Sequence, residues 1–184
     1  GLDTTFGFFT SENDLATRSQ TIGVVASITQ QRTRRHTIGF SLGPTFVRTE
    51  ERGLGTRFDV GVDGSANFGY KLRDLEIDLS LTQSVEPSTV GELQSFTRAG
   101  AGLIWTVNPE ESLSFSADFT HRTNLDGSEP SDFARIGASY DVTLTREARL
   151  SVGYQFRAEN DDLDGFASDH QVFLTLTHDF TLLP

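Results

Sequence analysis

Residues 58 to 70 alternate strictly between two kinds of side chain. The even positions are apolar or small, and the odd positions are polar or glycine. A period of two residues is typical of a β-strand with two different faces. This stretch is longer than an ordinary strand of about 5–6 residues, and a tilted strand needs only about 9–11 residues to cross a bilayer. The alternation therefore predicts long strands that each turn one apolar face toward a membrane.

Nine further segments of the 184-residue chain follow the same period. Their apolar positions fall within residues 6–8, 22–28, 38–46, 75–81, 99–107, 113–119, 134–144, 150–156 and 172–182. No stretch has a competing helical period, and nothing resembles an interdomain linker. The sequence therefore predicts a single all-β domain over residues 1–184, built from ten antiparallel strands. Because the chain begins at Gly1 without a methionine, we expect a processed form or a fragment of a longer chain.

The connections between these segments alternate in length and in charge. Short connections fall near residues 33–35, 71–74, 108–111 and 145–148, and longer ones near 11–19, 49–56, 86–93, 125–132 and 159–169. The longer ones are mostly acidic, whereas the short ones carry more basic than acidic residues. Short turns on one side of a membrane and long loops on the other are typical of a transmembrane barrel with an even number of strands.

The last segment, residues 171–180, has apolar side chains at alternate positions and ends on Phe180. It resembles the C-terminal assembly signal of bacterial outer-membrane β-barrel proteins. It departs from that signal at His178, where an aromatic is commoner, and in the four residues after Phe180. The chain thus resembles the Gram-negative outer-membrane barrel class and no specific family within it. The resemblance implies a ten-stranded up-and-down barrel, integral to the outer membrane, with short periplasmic turns and longer acidic extracellular loops.

A soluble barrel or sandwich also has one apolar face per strand and is the alternative fold. Water-exposed sheet faces usually recruit long charged residues, but Lys71 is the only lysine. The polar positions carry mainly glycine, serine and threonine, which suit a crowded barrel interior. The formal net charge of −11 argues against a nucleic-acid partner, and the absence of cysteine excludes disulfides. The composition therefore favours the membrane barrel.

The barrel interior is expected to be narrow and charge-paired. Ten strands about 4.8 Å apart and tilted about 40° give a backbone radius of roughly 10 Å. The charged residues at polar positions include Arg57, Asp59, Asp63, Glu76, Asp78, Arg98, Asp118, Arg135, Asp141, Arg149 and Arg157. Opposite charges in so small a space are expected to pair. The sequence therefore predicts a structural or interaction protein with a plugged or very narrow lumen. The alternative is a narrow channel for ions or small solutes.

Catalysis and metal binding are weaker hypotheses. His121 and His170 are predicted at the loop-side rim, where they could approach each other, Asp126 or Asp169 and act as a hydrolase. None of the four histidines falls in a recognisable nucleophile or metal pattern, so we expect no enzyme.

Asn160, Asp162 and Asp164 match the opening of a calcium-binding loop, but Gln171 stands where a bidentate glutamate is needed. This loop is kept as a weak calcium hypothesis, and a solvated acidic turn is the alternative. No cofactor is expected. The expected partners are outer-membrane lipid and lipopolysaccharide, with a protein of an envelope complex as a further possibility.

Overall fold

The computed structural model describes residues 2–12, 17–33, 35–51, 55–87, 93–125, 127–161 and 165–178. These residues form ten strands: β1 (Leu2–Glu12), β2 (Thr17–Thr33), β3 (His36–Glu51), β4 (Gly55–Lys71), β5 (Leu75–Pro87), β6 (Leu93–Asn108), β7 (Glu111–Asn124), β8 (Ser131–Thr143), β9 (Ala148–Asp161) and β10 (Gly165–His178). They lie in one sheet in chain order, and every neighbouring pair is antiparallel. The predicted all-β, antiparallel, up-and-down architecture is confirmed. Among the described residues, no helix is long and apolar enough to span a membrane.

Tight turns join the strands at one end of the sheet, which we call the turn end. The amide of Leu72 donates to the carbonyl of Leu75 at 2.7 Å, and the amide of Leu144 donates to that of Ala148 at 2.9 Å. At the opposite end, the loop end, the strands extend farther than predicted. Residues 159–169, expected as a loop, lie mostly in β9 and β10. Backbone pairing continues there even though the apolar alternation has ended.

In β2 and β3 the two faces of the sheet differ in exposure as the alternation predicts. In β3, Phe40 and Leu42 are 53% and 51% exposed, whereas Thr45 and Val47 are each only 1% exposed. The apolar positions thus form an outward surface, here called the apolar face. The alternate positions form the polar face.

The sheet has two edges in the structure. Among the described residues, β1 pairs with β2 and β10 pairs with β9, and no pairing joins β1 to β10. Every residue of β10 is exposed. Residues 179–184, which include the aromatic end of the predicted assembly signal, lie outside the described residues.

The sheet is also split between β4 and β5 at the loop end. β4 spans Gly55–Lys71, but its pairing with β5 runs from Lys71 only as far as Gly64, which faces Gln83. β5 continues to Pro87 and stays paired with β6 throughout. Beyond Gln83, the paths of β4 and β5 therefore separate.

Candidate functional site: the polar face and its cavity

A half-open cavity of about 710 Å³ lies along the polar face of β2 to β7 at the turn end. Polar positions of these strands line it, among them Gln31 of β2, Asn67 of β4 and Asp118 of β7. Gly100 and Gly102 of β6 also line it, and because they lack side chains they leave space. Residues of six successive strands line one cavity, so this part of the polar face is concave.

Charges of both signs border this cavity. The basic residues are Arg35 and Lys71, and the acidic residues are Glu76, Asp78 and Asp118. The Nζ atom of Lys71 lies 2.6 Å from Oε2 of Glu76. Lys71 is the last residue of β4, outside the roughly ten residues that a strand needs to span a bilayer. The hydrogen bond that Lys71 donates to Glu76 raises the pKa of the Lys71 ammonium group. A small polar solute in the cavity would therefore meet hydrogen-bond donors as well as carboxylate acceptors.

Two pairs of predicted lumen charges are in contact. Nη2 of Arg135 lies 3.0 Å from Oδ2 of Asp118, its register partner on β7, and both side chains are 42% exposed. Nε of Arg57 lies 2.9 Å from Oδ2 of Asp59 on the same strand. The Arg135–Asp118 pair is more exposed to solvent than the buried pairing that the sequence predicted.

Arg98 has partners that sequence reasoning did not identify. Its Nη1 atom lies 3.2 Å from Oε1 of Glu86 and 3.0 Å from Oγ of Ser84, both on β5. The guanidinium also lies 4.6 Å from the ring centroid of Phe96. Glu86 could be found only from the β5–β6 register, because in the sequence it falls inside a predicted loop.

The remaining predicted lumen residues have local partners. Asp141 accepts hydrogen bonds from the hydroxyls of Ser139 and Ser151, and Arg157 donates to Gln155 at 3.0 Å. Arg149 and Asp141 both line a smaller cavity of about 360 Å³ at the turn end. The observed contacts thus join neighbours, and a network across the lumen stays a prediction.

At the loop end, side chains of β5 and β6 cover the polar face. Val85 and Leu93 are each 7% exposed and form one buried apolar cluster with Val47 of β3. The carboxylate of Asp63 accepts a hydrogen bond from the amide of Val85 at 2.9 Å and another from the hydroxyl of Thr45. Asp63 was predicted as a lumen charge, but here it joins β4 to the end of β5.

The predicted rim histidines are not brought together. Nδ1 of His121 lies 2.8 Å from Oδ1 of Asp132, its register partner. His170 instead contacts the hydroxyl of Tyr154 at 2.7 Å and stacks near Phe156. The other two acids of the rim hypothesis do not complete a site. Asp126 lies outside the described residues, and Asp169 pairs in register with Arg157.

The calcium hypothesis falls largely outside the described residues. Asp162 and Asp164 are not among them, and Asn160 pairs with Phe166 of β10 and Asp132 of β8. Within the part of the chain that the structure describes, no group of three acidic, histidine or cysteine residues is placed to hold a metal ion.

Comparisons with known proteins give remote structural similarities. No protein-family model and no curated protein sequence matches the chain. The structure is similar to a NanC porin, with 9% identity over 96% of this chain and 93% of that chain and a TM-score of 0.44. It is also similar to an outer-membrane channel from Pseudomonas putida F1, with 14% identity over the same shares, 96% and 93%, and a TM-score of 0.39. Similarities at this level transfer no function.

Proposed function

We propose that the chain is a ten-stranded β-barrel of the bacterial outer membrane, closed by pairing of β1 with β10. Both are edge strands in the described sheet, and β10 exposes Val172, Leu174 and Leu176. Backbone groups left unpaired in lipid cost several kcal/mol each, so open sheet edges do not occur there. Closure removes both edges, and it is the arrangement that a bilayer favours for a sheet with this outer surface.

The apolar face has a sharp boundary at the loop end. One row of register partners on β5 to β8 is entirely apolar: Leu81, Ala99, Phe119 and Ala134. The next row on this same face, two residues closer to the loops, is entirely polar: Gln83, Thr97, His121 and Asp132. An abrupt change from apolar to polar on the outer surface is expected where hydrocarbon meets lipid head groups. This boundary supports a membrane position for the sheet.

The apolar band also moves diagonally across the sheet. On β9 it begins at Leu150, but on β4 it begins at Tyr70, which the register places in the row of Tyr154. At the loop end it extends on β4 to Phe58, past Gly64, which is the last β4 residue paired with β5. Strands tilted about 40° and spaced about 4.8 Å apart shift a level band by about one residue per strand. At the turn end the displacement between the rows of Tyr154 and Leu150 has this size over five strands, as a tilted sheet would give, whereas the loop-end boundary of β5 to β8 follows a single register row.

For the function of this barrel, we propose a narrow channel for small polar solutes or ions. The observation that carries this proposal is the cavity of about 710 Å³ on the polar face. Its lining combines polar and small residues with Phe68, Tyr70 and Leu79, and it lies at the turn end, away from the cover of Val85 and Leu93. The cover of Val85 and Leu93 narrows the space at the loop end. Such a lumen suits small solutes and excludes large ones.

Planar bilayers test this function. Purified protein is expected to give single-channel steps far smaller than those of a general-diffusion porin in the same cell. Asp78→Asn and Asp118→Asn, which each remove one acidic group from the cavity lining, are expected to lower the preference for cations. A matched change on the outer face, Asp132→Asn, is expected to leave the selectivity unchanged. A folded protein in vesicles that never conducts would contradict the channel.

Amide hydrogen exchange tests closure separately. One set of alternate β10 amides already faces β9, and the other set faces the free edge. In lipid, the closed barrel is expected to protect both sets equally. Fast exchange at every second β10 amide would contradict closure.

A second candidate is a structural or interaction barrel with a plugged lumen. The contacts that favour it are the ion pairs of Arg98 with Glu86 and of Arg135 with Asp118, which place charged side chains on the polar face. Its partners would be outer-membrane lipid, lipopolysaccharide or a protein of an envelope complex. It predicts a stable barrel without conductance, so the bilayer measurement separates the two candidates. The hydrolase is not proposed, because His121 and His170 have separate partners.

A further inference from the structure

Among the described residues, the split between β4 and β5 leaves one side of residues 55–63 without a strand partner. The last register pair is Gly64 with Gln83, although β4 continues to Gly55 and β5 to Pro87. On its other side, β4 pairs with β3 along its entire length. We call the separated segments, residues 55–63 of β4 and 84–87 of β5, the seam.

At the seam, the end of β5 lies over the polar face of β4 and β3 instead of beside β4. A Cβ atom built on Gly61 would lie 2.4 Å from Cγ2 and 2.9 Å from Cβ of Val85. Gly61 is at a polar position of β4, so Val85 covers the inner side of the sheet. Val47 and Leu93 complete the apolar cluster. We call this arrangement the overlapped state.

Asp63 connects the two sides of the seam. It lies one residue beyond the last β4–β5 pair, and its Oδ1 accepts the amide of Val85 at 2.9 Å. The hydroxyl of Thr45 donates to the other carboxylate oxygen. Hydrogen bonds to a carboxylate are among the stronger ones in proteins. Asp63 thus accepts a hydrogen bond from the amide of Val85, which is no longer paired with the backbone of β4.

The overlapped state is incompletely satisfied. Thr49 is 3% exposed, and its hydroxyl oxygen is buried with no hydrogen-bond partner within the described part of the chain. A buried polar group without a partner opposes the state that buries it. The separated edge of β4 has a similar cost in lipid. The cost at the β4 edge would be relieved if the β4–β5 ladder continued in its present register, which would place Val62 opposite Val85.

We infer that the seam is a two-state device: Asp63 holds the overlapped state, which narrows the loop end of the lumen, and zipping of β4 to β5 widens it. The link to conduction rests on the proposed channel function. The existence of the two states does not depend on that function. In the overlapped state Val85 packs with Val47 of β3, and in the zipped state it would lie opposite Val62 of β4. This difference can be measured without conductance.

Engineered cysteine pairs distinguish the states, because the chain has no cysteine of its own. Val47→Cys/Val85→Cys reports the overlapped state, since both side chains belong to one buried cluster. Val62→Cys/Val85→Cys reports the zipped state. In the overlapped state Val62 is half-exposed on the apolar face while Val85 is buried on the polar face, and side chains that point apart cannot form a disulfide.

On oxidation in vesicles, the Val47/Val85 pair is expected to cross-link and the Val62/Val85 pair to remain largely free. Adding Asp63→Ala is expected to lower the first yield and raise the second several-fold. Asp78→Ala, which removes a carboxylate of the polar face away from the seam, is the matched control and is expected to change neither yield. The pair Ala66→Cys/Leu81→Cys, register partners in both states, gives the yield of a zipped neighbour.

Two cross-linking results would overturn the two-state seam. One is a Val62/Val85 yield equal to that of Ala66/Leu81 while Asp63 is intact, because the seam would then already be zipped. The other is an unchanged pair of yields after Asp63→Ala. The first result needs no substitution of Asp63, so the test holds even if that variant folds poorly.

Conductance then tests whether the overlapped state narrows the loop end of the lumen. Channels locked by the Val62/Val85 disulfide are expected to have larger steps than channels locked by the Val47/Val85 disulfide, and reduction is expected to abolish the difference. Equal steps from the two locked forms would overturn the narrowing role of the overlap. Absence of conductance from every form would contradict the proposed channel instead, and the cross-linking yields would still report the two states.

Discussion

The sheet is continuous from β5 to β9 and split between β4 and β5, and the two regions use the same alternation differently. In the continuous region, apolar positions such as Leu79 and Ile136 are exposed on the outer surface. At the split, Val85 follows the same alternation as Leu79, yet it is 7% exposed and covers the polar side of Gly61. The environment of a strand residue therefore depends on its parity and also on whether its strand remains paired with its neighbour.

The largest expected effect comes from a charge on the apolar face of the continuous region. Leu79→Arg is expected to lower the free energy of unfolding in lipid by about 2–4 kcal/mol, because arginine is costly at mid-bilayer on the lipid side of a barrel. Reversible denaturant unfolding in vesicles measures this change. Asn67→Arg on the polar face of the neighbouring strand introduces the same charge where it meets the cavity, and little loss is expected. Equal losses in both variants would mean that the two faces are not distinguished by lipid.

A smaller effect is expected from crowding the split. Gly61→Ala places a methyl group within 2.4 Å of Val85, and overpacking of this kind costs about 1–3 kcal/mol. Gly39→Ala is the matched control, because its nearest neighbour, Oγ1 of Thr29, lies at an ordinary 3.7 Å. Thermal unfolding of both variants gives the comparison. If Gly61→Ala is as stable as Gly39→Ala, Val85 does not cover Gly61 in the folded protein.

The smallest effect is expected from the ion pair of the continuous polar face. Arg135 and Asp118 are register partners with half-exposed side chains, and exposed pairs contribute about 0–1 kcal/mol. A double-mutant cycle with Arg135→Ala and Asp118→Ala is therefore expected to give a coupling energy below about 1 kcal/mol. A coupling of several kcal/mol would indicate a desolvated pair, as in a plugged lumen.

The alternation predicted the strands and the face of the sheet on which each residue lies. It did so wherever a residue's position depends on its own strand and not on contacts with distant segments. Residues 58 to 70 fall within β4, and Phe58, Val60 and Val62 are exposed on the apolar face as expected. Strand ends were predicted less well. The apolar segment that identified β6 begins at residue 99, but the strand begins at Leu93, because backbone pairing does not require apolar side chains.

The features missed by sequence reasoning depend on contacts between distant segments. The pairing of Arg98 with Glu86 follows from the β5–β6 register, and the bond from the amide of Val85 to Asp63 follows from the split. Neither leaves a local pattern. The one sequence signal near the split is Gly61, since a glycine at a polar position permits close approach of another segment.

A cysteine scan of β4 tests the central claim most directly. Each residue from 57 to 70 is replaced singly by cysteine, and its reaction with a small water-soluble methanethiosulfonate is followed in vesicles. The barrel predicts reaction at odd positions 65, 67 and 69, which face the polar lumen, and protection at even positions 60, 62, 66 and 68, which face lipid. Positions 61 and 63 are expected to react slowly, because Val85 covers the polar face there. Reaction at the even positions with protection of the odd ones, or uniform reaction along the strand, would contradict a transmembrane barrel with this facing.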